Sequence, residues 1–107
     1  MHERRRFKRY LFGVPAKLSG PETPAPLHLI VVNIGLNGCS VEGAGGLKVG
    51  QKCRLEVEWR SQQMVLDALV VWQDERGFTG FVFSAVEPKS LDQLRELCST
   101  LKVQPRV

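Results

Sequence analysis

The feature that most constrains the fold is a two-residue alternation of apolar and charged side chains in the middle of the chain. Within residues 52–59 the apolar positions are Cys53, Leu55, Val57 and Trp59, and the charged positions are Lys52, Arg54, Glu56 and Glu58. Successive side chains of a β-strand point to opposite faces of a sheet. The alternation therefore predicts a strand with one buried face and one solvent-exposed face.

Other segments also have strand character, and turn-forming stretches separate them. These segments are 12–18, 27–34, 39–41, 62–72 and 78–83. Glycine-containing breaks at Gly35–Gly38 and Asp74–Gly77 predict tight turns. Pro15 lies inside the first segment, and because proline cannot donate a ladder hydrogen bond, it predicts an edge strand. Six strands joined in this way indicate an antiparallel sheet that closes into a barrel.

The end of the chain changes to helical periodicity. One helical face would carry Leu91, Leu94, Leu97, Cys98 and Leu101. Ser90, followed three residues later by Gln93, matches a capping box and predicts that Ser90 is the N-cap. The fold class is therefore mainly β, in a single domain 1–107. Its predicted parts are a flexible basic arm over 1–11, a six-stranded antiparallel β-barrel over 12–84 and a C-terminal α-helix over 90–102.

The positive charge of the chain is concentrated in its first ten residues. The whole chain has fifteen basic and eleven acidic side chains, and five of the basic ones but only one acid, Glu3, precede residue 11. The remaining residues are electrically balanced, so the net charge of +4 belongs to the arm. Such an arm is expected to bind phosphate or another anion, although a basic run can also be a solvated tail.

Catalytic and metal-binding patterns are missing from the sequence. It contains no G-x-S-x-G, H-E-x-x-H or P-loop motif, and its two histidines are His2 in the arm and His28 in an apolar strand segment. We therefore expect a protein that is not an enzyme and that has no catalytic residues, no metal and no cofactor.

Cysteine usage and hydropathy bear on the location of the protein. Cys39, Cys53 and Cys98 are odd in number and far apart, which favours reduced thiols in a cytoplasmic protein over a disulfide framework. Apolar stretches are all shorter than a membrane span, so membrane insertion is not expected.

Two short motifs remain. Arg5 and Arg9 form an R-x-x-x-R pair just before the first strand, and Asn33 to Gly38 places a polar residue and two glycines at a turn between strands. In this order the motifs resemble the PilZ domain family, bacterial receptors for the second messenger cyclic di-GMP, whose pattern is R-x-x-x-R followed by [D/N]-x-S-x-x-G. The segment Gly77–Phe83 and the closing helix are also similar to that family, so the resemblance covers nearly the whole chain.

The resemblance implies a PilZ-like split barrel and a nucleotide site formed by Arg4, Arg5, Arg9, Asn33 and Gly38, together with Gly35. Guanidinium groups suit this ligand, because they can hold a phosphate with two hydrogen bonds, bond guanine O6 and N7, or stack on a base. In the family, an arginine in the position of Arg4 accompanies binding of two stacked ligand molecules. Asn33 would face a guanine edge, and Gly38 would allow a positive φ or a close approach.

The implied mechanism is a switch. The ligand would bridge the mobile arm to the Asn33–Gly38 turn, order the arm and change the surface offered to a downstream partner protein. The sequence departs from the family at Gly35, which stands where the pattern has serine. The missing hydroxyl costs roughly 0.5–3 kcal/mol of binding.

Two alternatives stay open. One is a PilZ-like interaction module that has lost nucleotide binding, and the other is a nucleic-acid binder with a basic arm. The neutral body of the chain argues against a polymeric nucleic acid, since no basic face continues from the arm. The resemblance is compatible with a monomer or a homodimer.

Overall fold

The structure, a computed structural model, describes residues 9–23 and 25–101. Within them, six strands are followed by one helix: β1 Tyr10–Ser19, β2 Leu27–Ile34, β3 Gly38–Glu42, β4 Lys52–Trp59, β5 Gln62–Gln73, β6 Phe78–Ala85 and α1 Pro88–Thr100. The strands close into a barrel in the order β1-β2-β3-β6-β5-β4, and every pairing is antiparallel. The predicted mainly β fold, a six-stranded antiparallel barrel with a C-terminal helix, is confirmed.

The alternation that predicted β4 is observed directly. Cys53, Leu55 and Val57 point into the barrel and are buried, while the charged residues between them lie on the outside. Inward-facing side chains of the other strands, together with Leu94 and Leu97 of α1, complete one continuous apolar core, and Phe81 is its largest fully buried member. Such a core makes the barrel a rigid support for whatever lies on its outer face.

Pro15 does not mark an edge strand, and that prediction was wrong. Strand β1 is hydrogen-bonded to β2 on one side and to β4 on the other, so the closed barrel has no edge at this strand. Proline is tolerated because the pairing between β1 and β4 begins only at Ala16, which leaves Pro15 next to β2 alone.

The start of the helix also differs from the prediction. Helix α1 begins at Pro88 with Glu87 as its N-cap, so Ser90 lies inside the first turn and is not the cap. Proline suits the first helical turn, where its missing N–H has no partner to lose. The Ser90 hydroxyl instead donates to the Val65 carbonyl oxygen at 3.4 Å, and Gln93 bonds Gln62, so both residues dock the helix onto β5.

Candidate functional site

The two sequence motifs meet at one point on the outer face of the barrel. Arg9 lies immediately before β1, and its Nη1 donates a hydrogen bond to Asn33 Oδ1 at 3.2 Å. The same oxygen also accepts a hydrogen bond from the backbone N–H of Ser40 at 3.1 Å. Twenty-four residues separate Arg9 from Asn33 along the chain, and the antiparallel pairing of β1 with β2 brings Arg9 next to the β2–β3 turn.

A register shift in β2 turns Asn33 outward. Val31 pairs with Val41 inside the barrel, but the next paired residue of β2 is Asn33, opposite Ser40, so β2 contains one extra residue. Without this bulge Asn33 would share the inward face of Val31, since residues two apart lie on the same side of a strand. Asn33 therefore lies on the outer face, yet the residue is only 6% exposed.

Gly38 is needed for a close approach and not for its backbone conformation. Its φ is not in the left-handed region. A Cβ at this position would overlap the Phe81 carbonyl oxygen and would lie 2.9 Å from Arg9 Nη2. Glycine therefore allows the Arg9 guanidinium and strand β6 to pack against the same stretch of backbone.

Gly35 begins the turn that Gly38 ends. The Gly35 N–H donates a hydrogen bond to the Gly38 carbonyl oxygen at 2.9 Å. From β6, which neighbours β3 in the barrel, the Phe83 N–H donates a hydrogen bond to the Asn37 carbonyl oxygen at 2.8 Å. The φ of Gly35 lies outside the left-handed region, so the backbone dihedral at this position does not require glycine.

The thiol beneath the site is neutral. Cys39 is buried inside the barrel next to Gly38, and burial raises the pKa of its thiol to about 12, although the nearby Arg9 charge acts in the opposite direction. A neutral thiol does not compete with a ligand for the Arg9 guanidinium. The side chains of Asn33 and Ser40 are also uncharged, so the surface around Arg9 includes several neutral polar groups.

Sequence reasoning missed Trp72. Trp72 is 42% exposed, because a register shift in β5 follows the buried Val70 and turns Trp72 outward opposite Gly80. The indole lies directly over Gly80, where a Cβ would overlap it. The detectable signal was the loss of strict alternation in 62–72, which indicates a bulge, and bulges are frequent next to binding sites.

Trp72 and Asn33 belong to one row of paired residues that crosses five neighbouring strands of the barrel. The row contains Leu11, Asn33, Ser40, Gly80 and Trp72. Leu11 and Trp72 are exposed apolar residues at its two ends, and the residues between them are polar or lack a side chain. At about 4.8 Å per strand spacing the row is roughly 19 Å wide. We call this surface the trough; Arg9 and Gly38 adjoin it.

A concave surface elsewhere on the barrel is less suitable for an anion. It has a volume of about 540 Å³ and is lined in part by Lys52, Arg54 and Asp67. Arg54 Nε donates to Asp67 Oδ1 at 3.1 Å, so the carboxylate offsets the charge of this arginine. The concave surface contains none of the residues of the two motifs.

The predicted site residues are thus partly brought together. Arg9, Asn33, Gly35 and Gly38 form one cluster, whereas Arg4 and Arg5 lie outside the described residues. Within residues 9–23 and 25–101, no group of three or more His, Cys, Asp or Glu side chains could hold a metal ion. No helix in the same part of the chain is long and apolar enough to cross a membrane.

Comparison with known proteins extends these observations. The PilZ domain family matches residues 3–100. A search of the curated proteins found no match. The PilZ domain of YcgR from Escherichia coli, solved with c-di-GMP, superposes with a TM-score of 0.73 at 17% identity over 92% of each chain.

Two further solved structures have the same fold. The PilZ domain of CeSA from a cellulose-synthesizing bacterium gives a TM-score of 0.69 at 11% identity, over 85% of this chain and 94% of that one. The Bacillus subtilis inhibitor of motility, MotI/DgrA, gives 0.72 at 20% identity over 92% of this chain and 51% of that one. The present chain therefore spans about half the length of MotI/DgrA.

Proposed function

The chain belongs to the PilZ domain family, and from this premise we propose that it is a receptor for cyclic di-GMP and not an enzyme. The observation that carries the proposal is the 3.2 Å hydrogen bond between Arg9 and Asn33, because it joins the two halves of the nucleotide motif at one place on the barrel. The likeness to the E. coli YcgR PilZ domain, which was solved with c-di-GMP, adds support.

The trough has the chemistry that a guanine dinucleotide requires. Arg9 at one side offers guanidinium donors for a phosphate oxygen or for guanine O6 and N7. Trp72 at the other side offers an exposed indole on which a base can stack, an interaction worth about 1–3 kcal/mol. Gly80 lets the Trp72 indole lie directly over the backbone, and Gly38 lets the Arg9 guanidinium pack against the β2–β3 turn.

Arg4 and Arg5 complete the proposed site from the arm. Ligand phosphates would draw these residues toward the Asn33–Gly38 turn, since the arm contains all of the excess positive charge of the chain. Arg9 already contacts the turn, so a rearrangement on binding would concern mainly the residues before it. The altered arm would then be recognised by a downstream protein.

Gly35 favours a second candidate function. Without the motif hydroxyl, the site loses one hydrogen bond to the ligand, and binding weakens by up to about a hundredfold. A weakened site is compatible with an interaction module that has lost nucleotide binding. The retained arginines favour the receptor, because such modules typically lack them.

The deciding experiment is calorimetric titration of the protein with cyclic di-GMP, with GMP and GTP as control ligands. We expect saturable binding of cyclic di-GMP only, and its loss in Arg5→Ala and Arg9→Ala. The matched control is Arg95→Ala, which removes the same charge from the exposed face of helix α1. Absence of binding to the wild-type protein would favour the interaction module, and equal weakening by Arg95→Ala would indicate a nonspecific charge effect.

A further inference from the structure

Ser40 places a hydroxyl on the floor of the trough. The residues on either side of it in β3 point into the core and are buried, so Ser40 points to the outer face of the barrel. Strand pairing puts it opposite Asn33 on one side and opposite Gly80 on the other. Side chains directly opposite each other in antiparallel strands have Cβ atoms about 5 Å apart. The hydroxyl therefore lies between the Asn33 amide and the Trp72 indole, which covers Gly80.

The backbone of Ser40 is fixed, but its hydroxyl is not engaged. The Ser40 N–H donates to Asn33 Oδ1 at 3.1 Å. Within residues 9–23 and 25–101 the hydroxyl makes no hydrogen bond, and it is not one of the buried side-chain atoms that lack a partner. It therefore reaches the surface of the trough, although the residue is only 5% exposed. The same holds for Asn33 Nδ2, so two unengaged polar groups lie side by side.

A ligand that fits the trough has to supply a partner for this hydroxyl. A nucleotide that stacks on Trp72 and bonds Arg9 would cover Ser40 and remove the hydroxyl from water. A polar group that is buried without a partner weakens binding, because its hydration is lost and not replaced. Phosphate oxygens and guanine O6 are acceptors, and a hydroxyl can donate to either. The ligand chemistry and the free hydroxyl are thus complementary.

Resting on the proposed function, we propose that Ser40 is a ligand-binding residue whose hydroxyl donates a hydrogen bond to an oxygen of cyclic di-GMP. It lies outside the nucleotide motif, two residues after Gly38. The position that lacks the motif hydroxyl, Gly35, and the position of Ser40 both flank Asn33: Gly35 follows it by two residues along the chain, and Ser40 lies directly across from it. The trough therefore contains a hydroxyl although the motif does not.

Calorimetric titration of Ser40→Ala with cyclic di-GMP tests this contact. Alanine keeps the backbone N–H that bonds Asn33, so the substitution removes only the hydroxyl. We expect affinity to fall about 3- to 100-fold. Ser40→Cys has a similar volume but only a weak donor, so it should lose affinity as well. Ser84→Ala is the matched control, because it removes an exposed hydroxyl of β6 that lines the concave surface outside the trough; its affinity should stay within about twofold of the wild type.

Two results would overturn the Ser40 contact while leaving the proposed function intact. One is a Ser40→Ala protein that binds as tightly as the wild type. The other is full recovery of affinity in Ser40→Cys, since volume and not hydrogen bonding would then matter. Circular dichroism of each variant at the titration temperature establishes that it is folded.

Failure of the proposed function gives a different pattern. If the wild type binds no nucleotide, the same titrations are made in a Gly35→Ser background, which restores the motif hydroxyl. Loss of affinity on adding Ser40→Ala there would support the contact, and unchanged affinity would overturn it. Absence of binding in both backgrounds would overturn the proposed function and the Ser40 contact together.

Discussion

Replacing Gly38 with alanine tests whether the barrel and the site share one piece of backbone. The added Cβ would overlap the Phe81 carbonyl oxygen of β6 and would approach Arg9 Nη2 to 2.9 Å. Backbone cannot rotate away as a flexible side chain can, so β3 and β6 must separate locally. Gly38 pairs with Val82 in this ladder, and the pairing is part of the closed barrel.

The substitution is expected to lower both the thermal stability of the protein and its affinity for cyclic di-GMP. Overpacking of this kind costs about 1–3 kcal/mol, which lowers the Tm of a domain of this size by roughly 5–15 °C. Displacement of the guanidinium from Asn33 leaves the Arg9 side chain to be ordered on binding, which costs about 0.5–1.5 kcal/mol. Cyclic di-GMP affinity should therefore fall about 2- to 13-fold.

The assay is thermal unfolding followed by circular dichroism, combined with calorimetric titration well below the Tm. Gly45→Ala is the matched control, because nothing lies within 4 Å of its added Cβ and its φ is not in the left-handed region. We expect its Tm to stay within a few degrees of the wild type. A Gly38→Ala protein that matches Gly45→Ala in both Tm and affinity would refute the steric argument.

Three other perturbations give separate checks. Gly80→Ala should displace the indole of Trp72, lower the Tm and shift tryptophan fluorescence toward that of a more solvated ring; unchanged emission would contradict the stacked geometry. Gly35→Ser should tighten cyclic di-GMP binding by up to about a hundredfold in titration calorimetry, whereas Gly35→Ala, which adds no hydroxyl, should not. The raised pKa of Cys39, about 12 against an ordinary 9.0, keeps its proton in the folded state while the unfolded chain ionises. The contribution of Cys39 to the free energy of unfolding should therefore be fully present below pH 9 and then decrease by about 1.4 kcal/mol per pH unit toward pH 12. Burial also raises the pKa of Cys98 and Cys53, so the Cys39 contribution is the difference between the wild type and Cys39→Ala in denaturant titrations.

The sequence by itself determined the features that depend on neighbouring residues. The alternation in β4, the glycine-containing turns and the helical periodicity after Pro88 each follow from local geometry, and together they predicted the barrel and its helix. The excess charge of the arm and the two motifs also follow from the order of residues alone, and they led to the PilZ resemblance.

Only the tertiary structure decided which side chains face which surface at the site. One extra residue in a strand reverses the direction of every side chain after it, and whether that residue is accommodated as a bulge depends on a partner strand far away in sequence. Such bulges turn Asn33 and Trp72 outward, although Asn33 would otherwise face the core.

The same long-range pairing explains the two local predictions that were wrong. Pro15 indicated an edge strand, but closure of the barrel gave β1 a second neighbour, and the β1–β4 ladder begins only after the proline. Ser90 indicated an N-cap, but its hydroxyl bonds β5, and the helix begins at Pro88. The contact between Arg9 and Asn33 also depends on strand pairing: each residue is visible in the sequence, but they meet because the antiparallel pairing of β1 with β2 places the start of β1 beside the end of β2.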